Sequence, residues 1–315
     1  LTEPLPGLFI ERLKKIFPQA EADKLLETFL FERPVSFRVN TLKILSETLI
    51  PHLESMGLTA EKVPWCPGAF ILPREHLRAL QKIQAYRDGE LYIQSLSSLI
   101  PALVLSPVPG ESVLDLAAAP GSKTTQMACL MKGAGRLVAN DNNRGRFFKL
   151  KSTVEAQGIP NVEFSCKPGE CFGKQFPGTF DKVLVDAQCS SEGRFRAGEP
   201  ASWKFWKPAK VREMSRKQKR LLLSGLLALK SGGTLVYSTC TFSPEENESV
   251  LDWALRKLDG QAEISTIGFP VPNRVPGILE WEGKEFHPSV RNAVRIIPDR
   301  EMEGFFVAKM TRGRV

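Results

Sequence analysis

Val113-Leu-Asp-Leu-Ala-Ala-Ala-Pro-Gly-Ser-Lys-Thr-Thr-Gln126 decides how the chain is read. A short apolar strand runs into a turn of small residues, and the polar residues after Gly121 open a helix. Small side chains let the backbone approach a ligand closely, and a helix N-terminus offers free amide donors. In an open α/β sheet such a turn lies at the carboxyl end of a strand, where ligands bind. Asp141 follows the next strand, Leu137-Val-Ala-Asn140, about 20 residues beyond Gly121, the offset of an acid that bonds ribose hydroxyls. The chain has neither G-x-G-x-x-G nor G-x-x-x-x-G-K-[ST], so a pyrophosphate cradle is poorly supported. A nucleoside cofactor without phosphates fits better. The competing reading is a glycine turn that merely joins strand to helix.

Outward from this loop, short apolar strands recur at Ser112–Leu116, Arg136–Ala139, Val162–Ser165, Phe180–Val185 and Thr234–Tyr237. Helix-compatible segments separate most of them, which predicts a mostly parallel sheet covered on both faces. A helix fits Ser95–Leu105. Ala293–Ile297 and Gly304–Met310 flank a polar turn and predict an antiparallel hairpin at the sheet edge. Residues 1–90 read as a small α+β domain expected to bind or position an acidic partner, and 91–315 as the catalytic domain. In the first, Leu8, Ile10, Leu13, Ile16 and Phe17 fall largely at helical spacing, as do Leu25, Leu26, Phe29 and Leu30. The stretch Ser36–Leu42 alternates like a strand, and a helix fits Ser46–Met56, ending at Gly57.

With 315 residues, 42% of them hydrophobic, the chain can bury a large core. Its 43 Lys+Arg against 35 Asp+Glu give a net charge of +8, a nudge towards an acidic partner such as nucleic acid. The six cysteines, Cys66, Cys129, Cys166, Cys171, Cys189 and Cys240, form no CxxC pair, and the three histidines lie far from them, so zinc-finger spacing is absent and no metal is expected. No apolar run approaches membrane-spanning length. The reading is a cytoplasmic monomer with reduced thiols.

Two cysteines sit where chemistry would be done. Asp186-Ala-Gln-Cys-Ser190 and Tyr237-Ser-Thr-Cys-Thr241 each follow a strand of the same inferred sheet, at the face that also carries the small-residue loop. A cysteine is often no more than a small buried hydrophobe, the better reading for Cys129. At this point the sequence resembles the Sun (Fmu) family of RNA cytosine-C5 methyltransferases over nearly the whole chain. The resemblance rests on Asp115-Leu-Ala-Ala-Ala-Pro-Gly-Ser-Lys-Thr124, Asp186-Ala-Gln-Cys-Ser190 and Ser238-Thr-Cys-Thr241. Arg38-Val-Asn-Thr-Leu-Lys43, Pro64-Trp-Cys66, Tyr92-Ile-Gln94 and Glu303-Gly-Phe-Phe-Val307 add to it. The N-terminal part looks most like the bacterial ribosomal-RNA branch, whose longer members carry an additional C-terminal RNA-binding domain beyond the final hairpin.

The resemblance implies a Rossmann-like methyltransferase sheet and S-adenosylmethionine as cofactor, held by Ala118, Ala119, Pro120, Gly121, Ser122, Lys123, Thr124, Asp141 and Asp186. By the same analogy Cys240 adds to cytosine C6, Cys189 assists release of product, and Asp186 holds the cytosine edge. Ribosomal RNA or a ribosomal subunit is the preferred partner and transfer RNA the alternative. Two positions depart from the family: Gln188 stands where Asp-Ala-Pro-Cys has proline, and Pro168 aligns with an aspartate, with Glu170 nearby.

Trp203–Arg220 holds eight basic side chains, one acid and three aromatics. Such a segment suits phosphates and unpaired bases, or it is a solvated helix face with Val211, Met214, Leu221 and Leu222 turned inward. By family position Arg38 and Lys43 are further RNA-facing candidates. Gln188 and Pro168 motivate a second class of function, an RNA-binding assembly factor that has lost catalysis. A nicotinamide oxidoreductase is disfavoured by the missing phosphate loop.

Overall fold

The computed structural model describes residues 4–313. Two helices lead, α1 (Gly7–Ile16) and α2 (Gln19–Thr28). Their predicted apolar stripe is only partly buried: Leu13, Phe17, Leu25 and Phe29 go inside, while Leu8 and Leu30 stay exposed and the unpredicted Phe9 is buried. The helices turn Phe9 and the following Phe29 towards Phe195 and Phe242, aromatic loop residues from far along the chain.

The next strands are β1 (Val35–Val39), β2 (Glu61–Lys62), β3 (Ala69–Leu72) and β4 (Leu91–Ile93), in the antiparallel order β2-β3-β1-β4. Helix α3 (Ser46–Ser55) and the short α4 (Leu77–Leu80) and α5 (Gln84–Arg87) accompany them. Val35, Phe37, Leu49, Leu53 and Leu72 form a core under this sheet. All five residues of β1 are buried, against the alternation that would leave Arg38 outside. Arg38 is therefore not RNA-facing. Its guanidinium lies on Tyr92 and donates to Thr125 Oγ1 at 2.6 Å, because the other face of β1 is covered by the helix that follows the small-residue loop. Lys43 is at the surface, with its ammonium donated to the carbonyls of Asp88 and Ala156.

From α6 (Leu96–Leu105) onward the chain alternates: β5 (Ser112–Asp115), α7 (Ser122–Leu130), β6 (Arg136–Asn140), α8 (Arg144–Ala156), β7 (Val162–Ser165), α9 (Phe172–Gln175), β8 (Phe180–Asp186), α10 (Pro208–Ala228), β9 (Leu229–Thr239) and α11 (Glu248–Leu258). There follow β10 (Ala262–Ser265), β11 (Arg274–Pro276), the small pair β12 (Glu280–Trp281) and β13 (Lys284–Glu285), β14 (Val294–Ile296) and β15 (Phe305–Arg312). The strands β9-β8-β5-β6-β7 are parallel, and β15 runs antiparallel beside β9. The predicted terminal hairpin is β14–β15, but it is not the edge: β11 pairs outside β14, and β10 pairs with the far end of β15. Val113, Leu184 and Val236 face α6, α7 and α8, while Leu114, Val183, Val185 and Leu235 face α10 and α11. Burial on both faces is what made these strands read as continuous apolar runs.

After β5 the chain winds to β6 and β7, then returns to β8 and β9 on the other side. The crevice at this reversal opens between the carboxyl ends of β5 and β8, which are Asp115 and Asp186. Among the described residues, no helix is long and apolar enough to cross a membrane.

Candidate functional site

The small-residue loop follows β5 and is held from below and behind. The Ala118 amide donates to the Asn140 carbonyl at 2.7 Å, and Gly121 closes the turn with φ 108°. A Cβ at Gly121 would lie 3.1 Å from Thr153 Cγ2, so glycine also lets α8 pack against the loop. Thr124 is fully buried and donates its hydroxyl to Asp115 Oδ2 at 2.7 Å. The other oxygen, Asp115 Oδ1, is buried without a hydrogen-bond partner. Burial pushes the Asp115 carboxyl up to about 7, against the Thr124 hydrogen bond.

A cavity of about 490 Å³ opens over this loop. Ala118, Ala119, Pro120, Ser122 and Lys123 line one side, and Asp115, Asp186, Cys189, Arg194 and Cys240 the other. A second cavity of about 170 Å³ adjoins it, sharing Ala117, Arg146, Ala187 and Gln188, and contains Asp141, Asn142, Glu170 and Leu221. Asp141 is almost wholly buried; its Oδ1 accepts from the Asn143 amide at 3.0 Å and its Oδ2 lies 3.4 Å from Arg146 Nη2. Of the predicted cofactor residues, Gly121 and Thr124 shape the loop from behind, and the rest reach one cavity or the other.

Parallel pairing of β8 with β9 brings the two cysteine loops together. Cys189 Sγ and Cys240 Sγ are 3.3 Å apart, with Ser191 Oγ 3.5 Å from Cys240 Sγ. The Cys189 hydrogen bond, helped by the Arg194 charge and Ser191, draws the Cys240 thiol down to about 7 against its burial. The same hydrogen bond, with burial, holds the Cys189 thiol well above its ordinary value. Asp186 accepts from Ser238 Oγ and from Lys123 Nζ, each at 2.7 Å, and Lys123 also donates to Ser98 Oγ at 2.8 Å.

Behind the cysteines lie acids that sequence reasoning missed. Glu246 Oε2 accepts from the Ser190 amide at 3.0 Å and from Gln218 Nε2 at 2.8 Å, and Gln218 also donates to the Gln188 carbonyl at 2.9 Å. The loop shape at Gln188 is therefore held from its backbone by α10, while its side chain is exposed. Burial pushes Glu246 up to about 8. Glu192 accepts from Thr241 Oγ1, Ser243 Oγ and the Phe242 amide at 2.7, 2.6 and 3.0 Å. The run Glu245-Glu246-Asn247-Glu248 was a visible signal, but acids beside a helix start look like solvated partners of its dipole. Pro168 precedes the short turn Gly169–Cys171, and Glu170 reaches the second cavity.

Helix α10 buries Val211, Met214 and Leu222 and exposes Arg212, Arg216, Lys217 and Arg220. Glu213 pairs with Lys210 and Lys217, at 3.3 and 2.7 Å. Trp206 packs on Phe9 and Phe195 and donates to Glu192, and Trp203 packs on Phe195, so neither tryptophan stands free. Phe205 between them is 76% exposed.

A reversing parallel sheet with a small-residue turn at its switch point and a two-part cavity above it is a Rossmann-like arrangement with a ligand site at the strand ends. Residues 102–311 match the family described as 16S rRNA methyltransferase RsmB/F, residues 5–96 match the N-terminal domain of 16S rRNA methyltransferase RsmF, and the chain belongs to this family. A tRNA (cytosine(49)-C(5))-methyltransferase of Pyrococcus abyssi is 40% identical over 283 residues, covering 89% of this chain and 88% of that protein. Ribosomal RNA small subunit methyltransferase F of Vibrio parahaemolyticus is 38% identical over 315 residues; the match covers 98% of this chain but 63% of that longer protein. The crystal structure of a methyltransferase homolog protein from Pyrococcus horikoshii, 32% identical, superposes with a TM-score of 0.79 over 98% of this chain and all of that one. Members of this family use S-adenosylmethionine, and the residues present fit it: Asp115 keeps one carboxyl oxygen without a hydrogen-bond partner, and Asp186 lines the same cavity, so both could accept hydrogen bonds from a bound amino group.

Proposed function

We propose that this chain methylates C5 of cytosine in ribosomal RNA, with Cys240 as nucleophile. The observation that carries the reading is the Cys189–Cys240 pair, 3.3 Å apart in the cavity that faces the small-residue loop, with Cys240 the more acidic thiol. Ala118–Lys123, seated by Gly121 and Thr124, and Asp186 would hold the methionine part of S-adenosylmethionine, and Asp141 its ribose. When bound, that group supplies an electrophilic methyl.

The protein's own residues do the rest. The Cys240 thiolate adds to C6 of the base, which places an electron pair at C5, the atom that takes the methyl group. Asp186, steadied by Lys123 and Ser238, would hold the ring nitrogen and exocyclic amine of the base. Bond formation removes the charge from the Cys240 sulfur, and with it the main cause of the high Cys189 pKa. Burial still holds Cys189 up, so it first gives its own proton to solvent; as the thiolate it then takes the C5 proton, the C5–H electron pair re-forms the C5–C6 double bond, and the C6–sulfur pair leaves with Cys240, freeing the product. The partial match to the longer ribosomal-RNA relatives and the N-terminal domain of their kind favour ribosomal RNA. The 40% identity to a transfer-RNA enzyme supports transfer RNA as the second reading. Bisulfite sequencing of RNA from cells with and without the gene tests the proposal: loss of one methylated cytosine identifies the substrate, and no loss from any RNA refutes it.

A further inference from the structure

Arg194 reaches the same cavity as the two cysteines, yet no motif drew attention to it. Its turn is tied to the nucleophile's own backbone, since the Gly193 amide donates to the Cys240 carbonyl at 2.9 Å. A Cβ at Gly193 would fall 2.1 Å from the Gly304 carbonyl, so only glycine lets this turn press against the segment before β15. That segment supplies Glu303, whose Oε2 lies 3.2 Å from Arg194 Nε. Ser97 anchors the Glu303 carbonyl at 2.6 Å. Arg194, though exposed, is thus tied to Glu303 at the wall of the cavity that Cys240 also lines. The other two cations lining it are paired with acids of the cofactor side, Lys123 with Asp186 and Arg146 with Asp141.

We propose that Arg194 is a positioning residue for the covalent step: its guanidinium, carried to the wall of the Cys240 cavity by the Gly193 hydrogen bond and the Gly193–Gly304 contact, stabilises the thiolate, and Glu303 limits how strongly it does so. The inference rests on the reading of Cys240 as nucleophile. Burial opposes thiolate formation at Cys240, and Asp186 adds a repulsive charge; the Cys189 and Ser191 hydrogen bonds and the Arg194 charge act the other way. The charge of Glu303 is opposite to that of Arg194 and weakens its field at the sulfur.

The test needs neither RNA nor cofactor. The rate of Cys240 alkylation by iodoacetamide is followed against pH in the full chain, with the modified peptide quantified by mass spectrometry. Arg194→Met should move the midpoint up by about 1 pH unit, and Arg194→Lys should restore most of it. Glu303→Gln should move it down. An unchanged midpoint in folded Arg194→Met overturns the proposal, as does failure of Arg194→Lys to restore it. If Arg194→Met does not fold, Glu303→Gln decides: a lower midpoint supports the proposal and an unmoved or higher one overturns it. A shifted midpoint in a protein that methylates no RNA would keep the Arg194–Cys240 coupling but overturn its role in a covalent step together with the proposed function.

Discussion

The sulfurs of Cys189 and Cys240 lie 3.3 Å apart across 51 positions of sequence because β8 and β9 are parallel neighbours with Asp186 opposite Ser238. Each loop leaves its strand at the same level, so the thiols meet above the sheet. One hydrogen bond then pushes their acidities in opposite directions.

That asymmetry predicts unequal substitutions. Cys240→Ser should abolish methyl transfer and leave no covalent RNA adduct, since a serine hydroxyl is far less ionised than this thiol. Cys189→Ser should attack and methylate but fail to release, accumulating a slow band on a denaturing gel. An adduct formed by Cys240→Ser instead would exchange the two roles.

The Cys240 value also fixes a pH profile. Single-turnover methyl transfer should rise about tenfold per unit below pH 7 and level off above it, because the thiolate is the reactive form. A rate that stays flat from pH 5.5 to 8 would exclude thiolate formation as the titrating step.

Asp115 predicts a stability effect. Its folded value of about 7 lies above an unfolded value of about 4, so the folded chain binds this proton more tightly. The contribution is full below pH 4 and is lost as pH rises through 7. Urea unfolding of Asp115→Asn should therefore gain about 2–4 kcal/mol relative to the parent between pH 4 and pH 8. A constant difference across that range would contradict the raised value.

Asp141 should matter for the cofactor. Titration calorimetry on Asp141→Ala should show S-adenosylmethionine affinity weaker by about 1–3 kcal/mol, the worth of charge-assisted hydrogen bonds to ribose. Unchanged affinity in the folded variant would remove Asp141 from the site.

The RNA surface is best tested away from Lys217 and Arg220, which reach the second cavity and would confound cofactor and RNA effects. Replacing Lys204 and Lys207 with Ala should lower RNA affinity and flatten the logarithmic salt slope by about 1–2, as fewer counterions are released. An unaltered slope would make this segment a solvated face.

The sequence by itself determined the strand–loop–helix at Val113–Gln126, the parallel strands and the placement of both cysteines at strand ends. Those features are local: strand burial and turn chemistry are written in a few consecutive residues, and sheet topology sends all such turns to one edge. Only the tertiary structure decided that Arg38 is buried beneath α7, that β11 rather than the hairpin lies at the sheet margin, and that Phe205 rather than its tryptophan neighbours stands exposed. It also brought Asp115, Glu246 and Arg194 to the site. Burial and acidity are sums over groups distant in sequence, such as Glu303 beside Arg194 and Gln218 beside Gln188, and no short window of residues contains those sums.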